Sequence, residues 1–596
     1  MRVSSAIKHP AVRWGVGGAF AILLVLLVLS GISTVRAVQQ SQRDIHFLTS
    51  HEQVVSSETG RARLLWHLDD LESAAQRASS SIVVRGASTL LGWIPGLGPD
   101  VTNVTTLLHD EVVISIQGKH LLGAYSTFTR AQKYASGASA QAFATLRVAI
   151  AEANRAVAHL DPLETGLLNP LGGVEAHAGQ KVRRVQTLLA NATSALRVAQ
   201  VILGEGTPQN VLVLPENNAE MRDQGSVLSY ALLQAHDEHF TLLRSGHSYS
   251  LNLNRPVSYK ASPGARAYYL VDGPSSFWQS INISGDFQLT GATAAKMFYA
   301  ATGIHVDAVV ALDVPAMAAL TGVGGPLVVP GVGRQLTAQN FSTVVLHDLY
   351  SAYSVGPQYQ RYDVLGQISS ALLHRVEETK SSVFRYIRAI APLIPRRHFL
   401  LWARNPSVQL AVQQLGADGQ LDTVDPTSTF HVAVESDVAD KMDYYVHVRE
   451  RYVLSILPSG GATVRTIVTL INSAPTGQSP SYQLGPDHRL AQFVGQYVGN
   501  VYLWSPRGAH VSPGYDDAGL VLSAKTASVL ASSETAVTFV STIPHLVHNG
   551  VALLRLVPQS TLWPANYEVA VNEGSRTVLV AHGSLTQPVT VRMKVA

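Results

Sequence analysis

"NVLVLPENNAEMRDQGSV", residues 210–227, sets an apolar run directly against a cluster of amides, acids and an arginine. The run 211–214 has the length and β-branching of a buried strand. A strand that ends at Leu214 releases its polar continuation at a sheet edge, where backbone N–H and C=O groups need partners. In an α/β sheet, strand ends collect at one crevice, and ligands bind there. Asn217, Asn218, Glu220 and Arg222 are therefore expected at the mouth of that crevice.

The neighbouring segments repeat the pattern. "SVLSYALLQA" (226–235) and "VDAVVALD" (306–313) read as further strands, and "TGATAAKMFYAATG" (290–303) as a helix ahead of the latter. Residues 314–333 read as a short helix, a glycine break and a further strand or edge. In residues 358–380, Tyr362, Leu365, Ile368, Leu372 and Val376 recur at spacings of three and four, which predicts an amphipathic helix.

The chain has 596 residues, more than one core organises, so roughly three to four domains are expected. Lys and Arg total 44 against 41 Asp and Glu, for a formal charge of +3. No basic face emerges, and nucleic acid is excluded as a partner. The absence of cysteine removes disulfides, thiolate nucleophiles and sulfur-ligated metals. Residues 15–34, "GVGGAFAILLVLLVLSGIST", carry no charge and are long enough for a hydrocarbon core of about 30 Å. Arg2, Lys8 and Arg13 precede them without an acid, which predicts a cytoplasmic N-terminus. A cleaved signal peptide is the competing reading, but the run exceeds the usual length of about 7–15 residues.

The expected fold is therefore multidomain, with an N-terminal transmembrane helix, an α-helical region, a central α/β domain and a C-terminal antiparallel β-sandwich. The boundaries are a cytoplasmic segment 1–14, an anchor 15–35, a helical bundle or stalk 36–205, the α/β domain 206–385, a connecting helical segment 386–421 and the sandwich 422–596. Residues 61–78 and 143–160 have helical spacing, and the apolar stretch 81–98 reads as a buried hairpin. The sandwich rests on alternation such as Val446, Val448, Tyr452 and Leu454 against His447, Arg449 and Arg451. Such a protein would be a single-pass protein of the cell membrane, with most of its chain outside.

The order "GTPQNVLVLPENNAEMRDQGSV", "SGDFQLTGATAAKMFYAATGIHVDAVVALDVPAMAALTGVGGPLVVPG" and "LTAQNFSTVVLHDLYS" resembles the bacterial envelope family catalogued as domain-of-unknown-function family 4012. The resemblance covers about 206–380 and continues through 396–409 and 434–454. Where that family has twin glycines after the arginine, this chain has Gln224 and Gly225. The layout is also similar to the LytR-CpsA-Psr phosphotransferases, which move glycopolymers from polyprenyl-pyrophosphate lipids to the cell wall. That similarity rests on the polar loop after the first strand, the block 306–325 and the segment "YQRYDVLGQ" (359–367).

A pyrophosphate asks for several guanidinium or ammonium donors and a carboxylate-held Mg²⁺. Arg222, Asp223, Arg361 and Asp363 are of the required types, with Asp313 as a further companion. Mg²⁺ is expected only if phosphate is bound, and no other cofactor is implied. Each residue also has a structural reading: Asn217, Asn218 and Glu220 as caps, Arg222 as half of an ion pair, Asp363 as a helix-start acid. "AHDEHF" (235–240) reads as a polar turn rather than a metal site, and neither G-x-S-x-G nor a phosphate loop occurs. The expected function is binding of an envelope glycopolymer or a polyprenyl-linked phosphate. An active phosphotransferase and a noncatalytic envelope scaffold, with envelope proteins as partners, are the alternatives.

Overall fold

The structure is a computed structural model. It describes residues 58–80, most of 109–130, 138–158, and 186–595 apart from 188, 238, 354–357, 379–382, 422–423, 439, 487–488 and 575. Among the described residues no helix is long and apolar enough to cross a membrane. The membrane helix of the expected fold class is therefore not supported, and the span 15–35 lies outside the described residues, as does 81–98.

Residues 200–596 form one compact unit and 13–199 another. In the latter, α1 (Glu58–Ser80) and α2 (Ala138–Ala158) are the longest described helices. Lys119 joins Asp69 at 2.8 Å and also pairs with Glu72, while Phe128 packs on Phe143 at 6.2 Å. These contacts tie 115–128 to both helices.

The larger unit begins with β1 (Gln209–Asn217), β2 (Ser226–Val227), β3 (Ser229–His236) and β4 (His239–His247). A polar turn joins β3 to β4, with Asp237 at φ 47° and His236 paired to His239. After α3 (Pro263–Tyr269) come α4 (Phe287–Thr302), β5 (Ala308–Asp313) and α5 (Val314–Gly324). Asp286 caps α4 by accepting from Gln288 N at 2.9 Å, and Gly303 ends it at φ 74°, the pairing of N-cap acid and left-handed glycine that satisfies free helix-end groups. The amphipathic helix expected near 358–380 is α6 (Gln358–Glu378), followed by α7 (Val383–Ile390).

The sheet order is β4-β3-β1-β5-β6, with β2 on β1. Only β1 and β5 run parallel; the other pairs are antiparallel. β1 passes its expected end at Leu214 and continues to Asn217. Pro215 lacks an N–H, and it falls in the gap between the register with β3, which stops at Val213, and that with β2, which starts at Glu216. Phe399–Ala403 is β6, a sheet strand inside the expected helical connector, followed by α8 (Pro406–Gln414). A short apolar run cannot be assigned to helix or strand by periodicity, and burial beside β5 decides it here.

The C-terminal part packs two sheets. One has the order β11 (Tyr515–Asp517), β12 (Leu520–Val529), β10 (Tyr497–Ser505), β7 (Thr429–Ser436), β15 (Val551–Val557) and β14 (Val547–His548), with β18 (Val589–Lys594) on β15. The other is β13 (Ser533–Ile543), β9 (Ala462–Asn472), β8 (Val446–Ile456), β16 (Asn566–Glu573) and β17 (Arg576–Ser584). The expected antiparallel sandwich is corrected to mixed sheets, because β15 lies parallel to β7 and β16 parallel to β8. Alternation along one strand fixes its faces but not its neighbour's direction. The core between the sheets holds Phe430, Tyr452, Leu470, Val501 and Leu554. A second apolar layer joins Tyr259, Tyr269 and Ile283 to Ala433, Tyr502 and Trp504 on the outer face of β7 and β10. Every residue of β7 is buried for that reason.

Candidate functional site

The strand ends of β1 and β5 do meet, but their polar side chains divide between two places. Residues 215–217 wall a groove completed by Leu228 and Ser229 from the β2–β3 step, His247, Val314 and Met317 of α5, Phe341 and Val345, and Leu365 and Ile368 of α6. Phe341 and Val345 belong to a helical stretch that includes a π turn, Val344–Asp348. Most of the wall is apolar, and of its lining residues only His247 can carry positive charge. Asn217 donates to the Tyr350 hydroxyl at 2.7 Å and accepts from Ala219 N at 2.9 Å. Glu216 is buried beside Asn282, whose amide donates to it at 2.9 Å. Burial, reinforced by the charge of Asp313, pushes the Glu216 carboxyl well above its ordinary range.

Residues 218–224 turn inward and form a buried seam against the sandwich. Asn218 donates to Asp313 Oδ2 at 3.0 Å and to Ser560 O at 2.8 Å, and accepts from Val314 N at 3.1 Å. Asp313 accepts from Ala316 N at 3.1 Å, from Ser560 Oγ at 3.2 Å, and faces His398 Nδ1 at 2.6 Å. Asn218 and Asp313 together satisfy two of the free N–H groups that open α5. Asp, His and Ser are thus adjacent, but Ser560 contacts the aspartate rather than the imidazole, so no nucleophile–base pair is built.

Arg222 donates to Met221 O at 2.8 Å and to Ser436 O, at the end of β7, at 2.7 Å. Glu220 pairs with buried Lys441, whose ammonium lies 5.0 and 4.9 Å from the ring centres of Tyr350 and Tyr482. Burial draws the Lys441 pKa well below the ordinary lysine value, against the charge of Asp443. Asp443 accepts from Met221 N at 2.8 Å, and burial lifts its carboxyl to about 7. Asp223 is fully enclosed between Arg397, at 2.5 Å, and His431, at 2.7 Å. Burial opposes its ionisation, but the Arg397 guanidinium and His431 outweigh that and hold the carboxyl below its usual range. Arg397 also donates to Gly419 O and Gly285 O at 2.7 and 2.9 Å, which fixes a residue whose backbone sits at φ 62°.

The expected ligand set is therefore not assembled as one open site. Asn217 reaches the groove; Asn218, Glu220, Arg222 and Asp313 belong to the seam; Arg361 and Asp363 lie on α6, and their side chains fall outside the described residues. Gln224 is buried with its amide on Asp223, and Gly225 at φ 120° passes close to Asn217 O, where a Cβ would sit at 2.9 Å. One glycine of the expected pair is thus a backbone requirement, and the other position takes a seam residue. Among the described residues no group of three or more His, Asp or Glu is placed to hold a metal, and the oxygens of Asp223 and Asp313 already have partners. The described members of the donor set do not fit Mg²⁺. Arg397, His398, His431, Lys441 and Ser560 were not singled out from the sequence; the one local signal was the polar pair 397–398 just ahead of an apolar run.

Residues 206–350 match the model of the family described as "Protein of unknown function (DUF4012)". The matched segment carries that family's domain and holds β1 to β5, α5 and most of the groove wall. No curated protein and no solved structure matches the chain.

Proposed function

We propose that the protein is a noncatalytic binding protein of the bacterial envelope whose groove takes the apolar chain of a polyprenyl-linked phosphate. The carrying observation is the wall itself: Leu228, Val314, Met317, Phe341, Val345, Leu365 and Ile368 converge at the C-terminal ends of the parallel strands. Ligand pockets are mostly apolar with few placed polar groups, and this position in the sheet is where they form. Burial raises the Glu216 carboxyl pKa and so weakens its repulsion of an anionic head, and His247 lines the same wall. A phosphotransferase would need guanidinium groups open to pyrophosphate. Arg222 and Arg397 are instead engaged by backbone carbonyls and Asp223. The scaffold reading stands second, supported by the seam that joins the sheet to the sandwich.

The test is titration of the full chain with polyprenyl phosphate. Val345→Trp fills the groove and is expected to weaken binding by roughly tenfold, about 1.4 kcal/mol, while Leu410→Trp, an exposed position outside the groove wall, leaves it unchanged. Equal affinity of the Val345→Trp protein overturns the reading.

A further inference from the structure

Four aromatic rings follow one another on the surface where the two parts of the larger unit meet. His347 lies 4.9 Å from Tyr444, Tyr444 lies 6.2 Å from Trp563, and Trp563 lies 5.5 Å from His447, centre to centre. Tyr445 flanks the row, 5.2 Å from Tyr444. The rings are partly exposed, Trp563 to 40%. They come from separate places: the π turn (Val344–Asp348), the turn Met442–Tyr445, β8, and the loop between β15 and β16.

The row is held in advance of any ligand. The Trp563 indole N–H donates to Tyr444 O at 2.9 Å, and its loop is rooted in the seam through Ser560 and Gln559. His347 is fixed by Asp348 at 2.8 Å, and Asp348 pairs in turn with Arg334. Holding rings in place before binding removes ordering costs from association. Exposed aromatic groups gathered in this way mark an interaction surface.

The geometry points to an oligosaccharide as the occupant. An aromatic face, negative at its centre, suits the polarised C–H face of a pyranose, and the row supplies four partly exposed rings at centre spacings of 4.9, 6.2 and 5.5 Å. The edges carry hydroxyl and imidazole groups, with Ser473 near His447 at 3.5 Å, and these suit a sugar's hydroxyl rim. Successive ring planes are inclined by 37°, 67° and 35°, so the row is not flat. Asp348 and Arg334 neutralise each other, so that end of the row does not select a polyanion. His347 lies two residues beyond Val345 of the groove, but this surface does not depend on lipid binding there.

The experiment applies the full chain to a printed array of bacterial envelope oligosaccharides without lipid, then measures the best glycan by calorimetry. Trp563→Ala is expected to weaken binding by roughly tenfold or more. Trp563→Phe should recover part of the loss, and Trp66→Ala, in the other unit, should leave affinity unchanged. Saturating polyprenyl phosphate should also leave it unchanged, which separates this surface from the groove. A blank array, as a protein partner would give, overturns the inference. So does a Trp563→Ala protein with native melting and unaltered glycan affinity.

Discussion

Residues 215–217 and 218–224 are consecutive, yet the first wall an open groove and the second lie almost wholly inside a polar seam. The groove is apolar although it faces solvent. The seam is charged although it is closed. A ligand-binding surface gains from apolar walls that water leaves readily, whereas a buried charge persists only where every partner is in place. The difference separates two properties that one strand end would otherwise combine: affinity should reside in the groove and the rigidity of the joint in the seam.

The sharpest way to break this division is Arg397→Met. It leaves Asp223 enclosed without its guanidinium, with only His431 and the Gln224 amide beside it, and removing one member of a buried pair costs about 3–5 kcal/mol. Urea unfolding should show that loss, with affinity for polyprenyl phosphate per folded molecule unchanged. A stable variant would remove Asp223 and Arg397 from the account of the joint.

Acidity gives the next effect. Burial lifts Glu450 to about 7, above its unfolded value, so the folded chain binds the extra proton. The stability from this group is fully present below the unfolded pKa of about 4.3 and is lost as pH rises through about 7. Glu450→Gln should remove from the stability profile between these limits a fall of up to about 4 kcal/mol. An unchanged profile would show that the carboxyl titrates normally. Because Glu450 lies within the sandwich beside Tyr452, 2.6 Å away, lipid affinity should not follow the change.

Asn218→Ala removes donors to Asp313 and Ser560 and leaves Val314 N without its acceptor, a loss of about 2 kcal/mol by thermal or urea unfolding. Arg222→Ala is milder, about 1–2 kcal/mol, since its two bonds end on carbonyls. Its affinity for polyprenyl phosphate should stay at the wild-type value. A selective loss of affinity without a stability change would return Arg222 to the ligand and undo the division.

The elements around the site were largely legible. Apolar runs at 211–214, 226–235 and 306–313 are strands because burial demands them, and the spacing in 290–303 and 358–380 marks helices. The direction taken by 218–224 was not legible. Its partners, Arg397, His431 and Ser560, lie far along the chain, and no local pattern shows whether an arginine meets a phosphate or a carbonyl. Capping was the structural reading of Asn218, and that is one of its roles here, through Val314 N. The groove was hidden for another reason: its lining side chains are ordinary apolar residues of helices, indistinguishable from core until the helices are placed.

The bond from Asn218 to Ser560 joins residues 342 positions apart. On a ribosome the first sheet emerges long before its last hydrogen-bond partner, so Asn218, Asp223 and Asp313 must wait in water while the sandwich is made. A chain released early would retain the segment by which the family is known, yet keep these groups wet and the first sheet loosely held. Completion of translation is thereby coupled to closure of the joint, and a protease that samples unfinished chains would find this strand end still open.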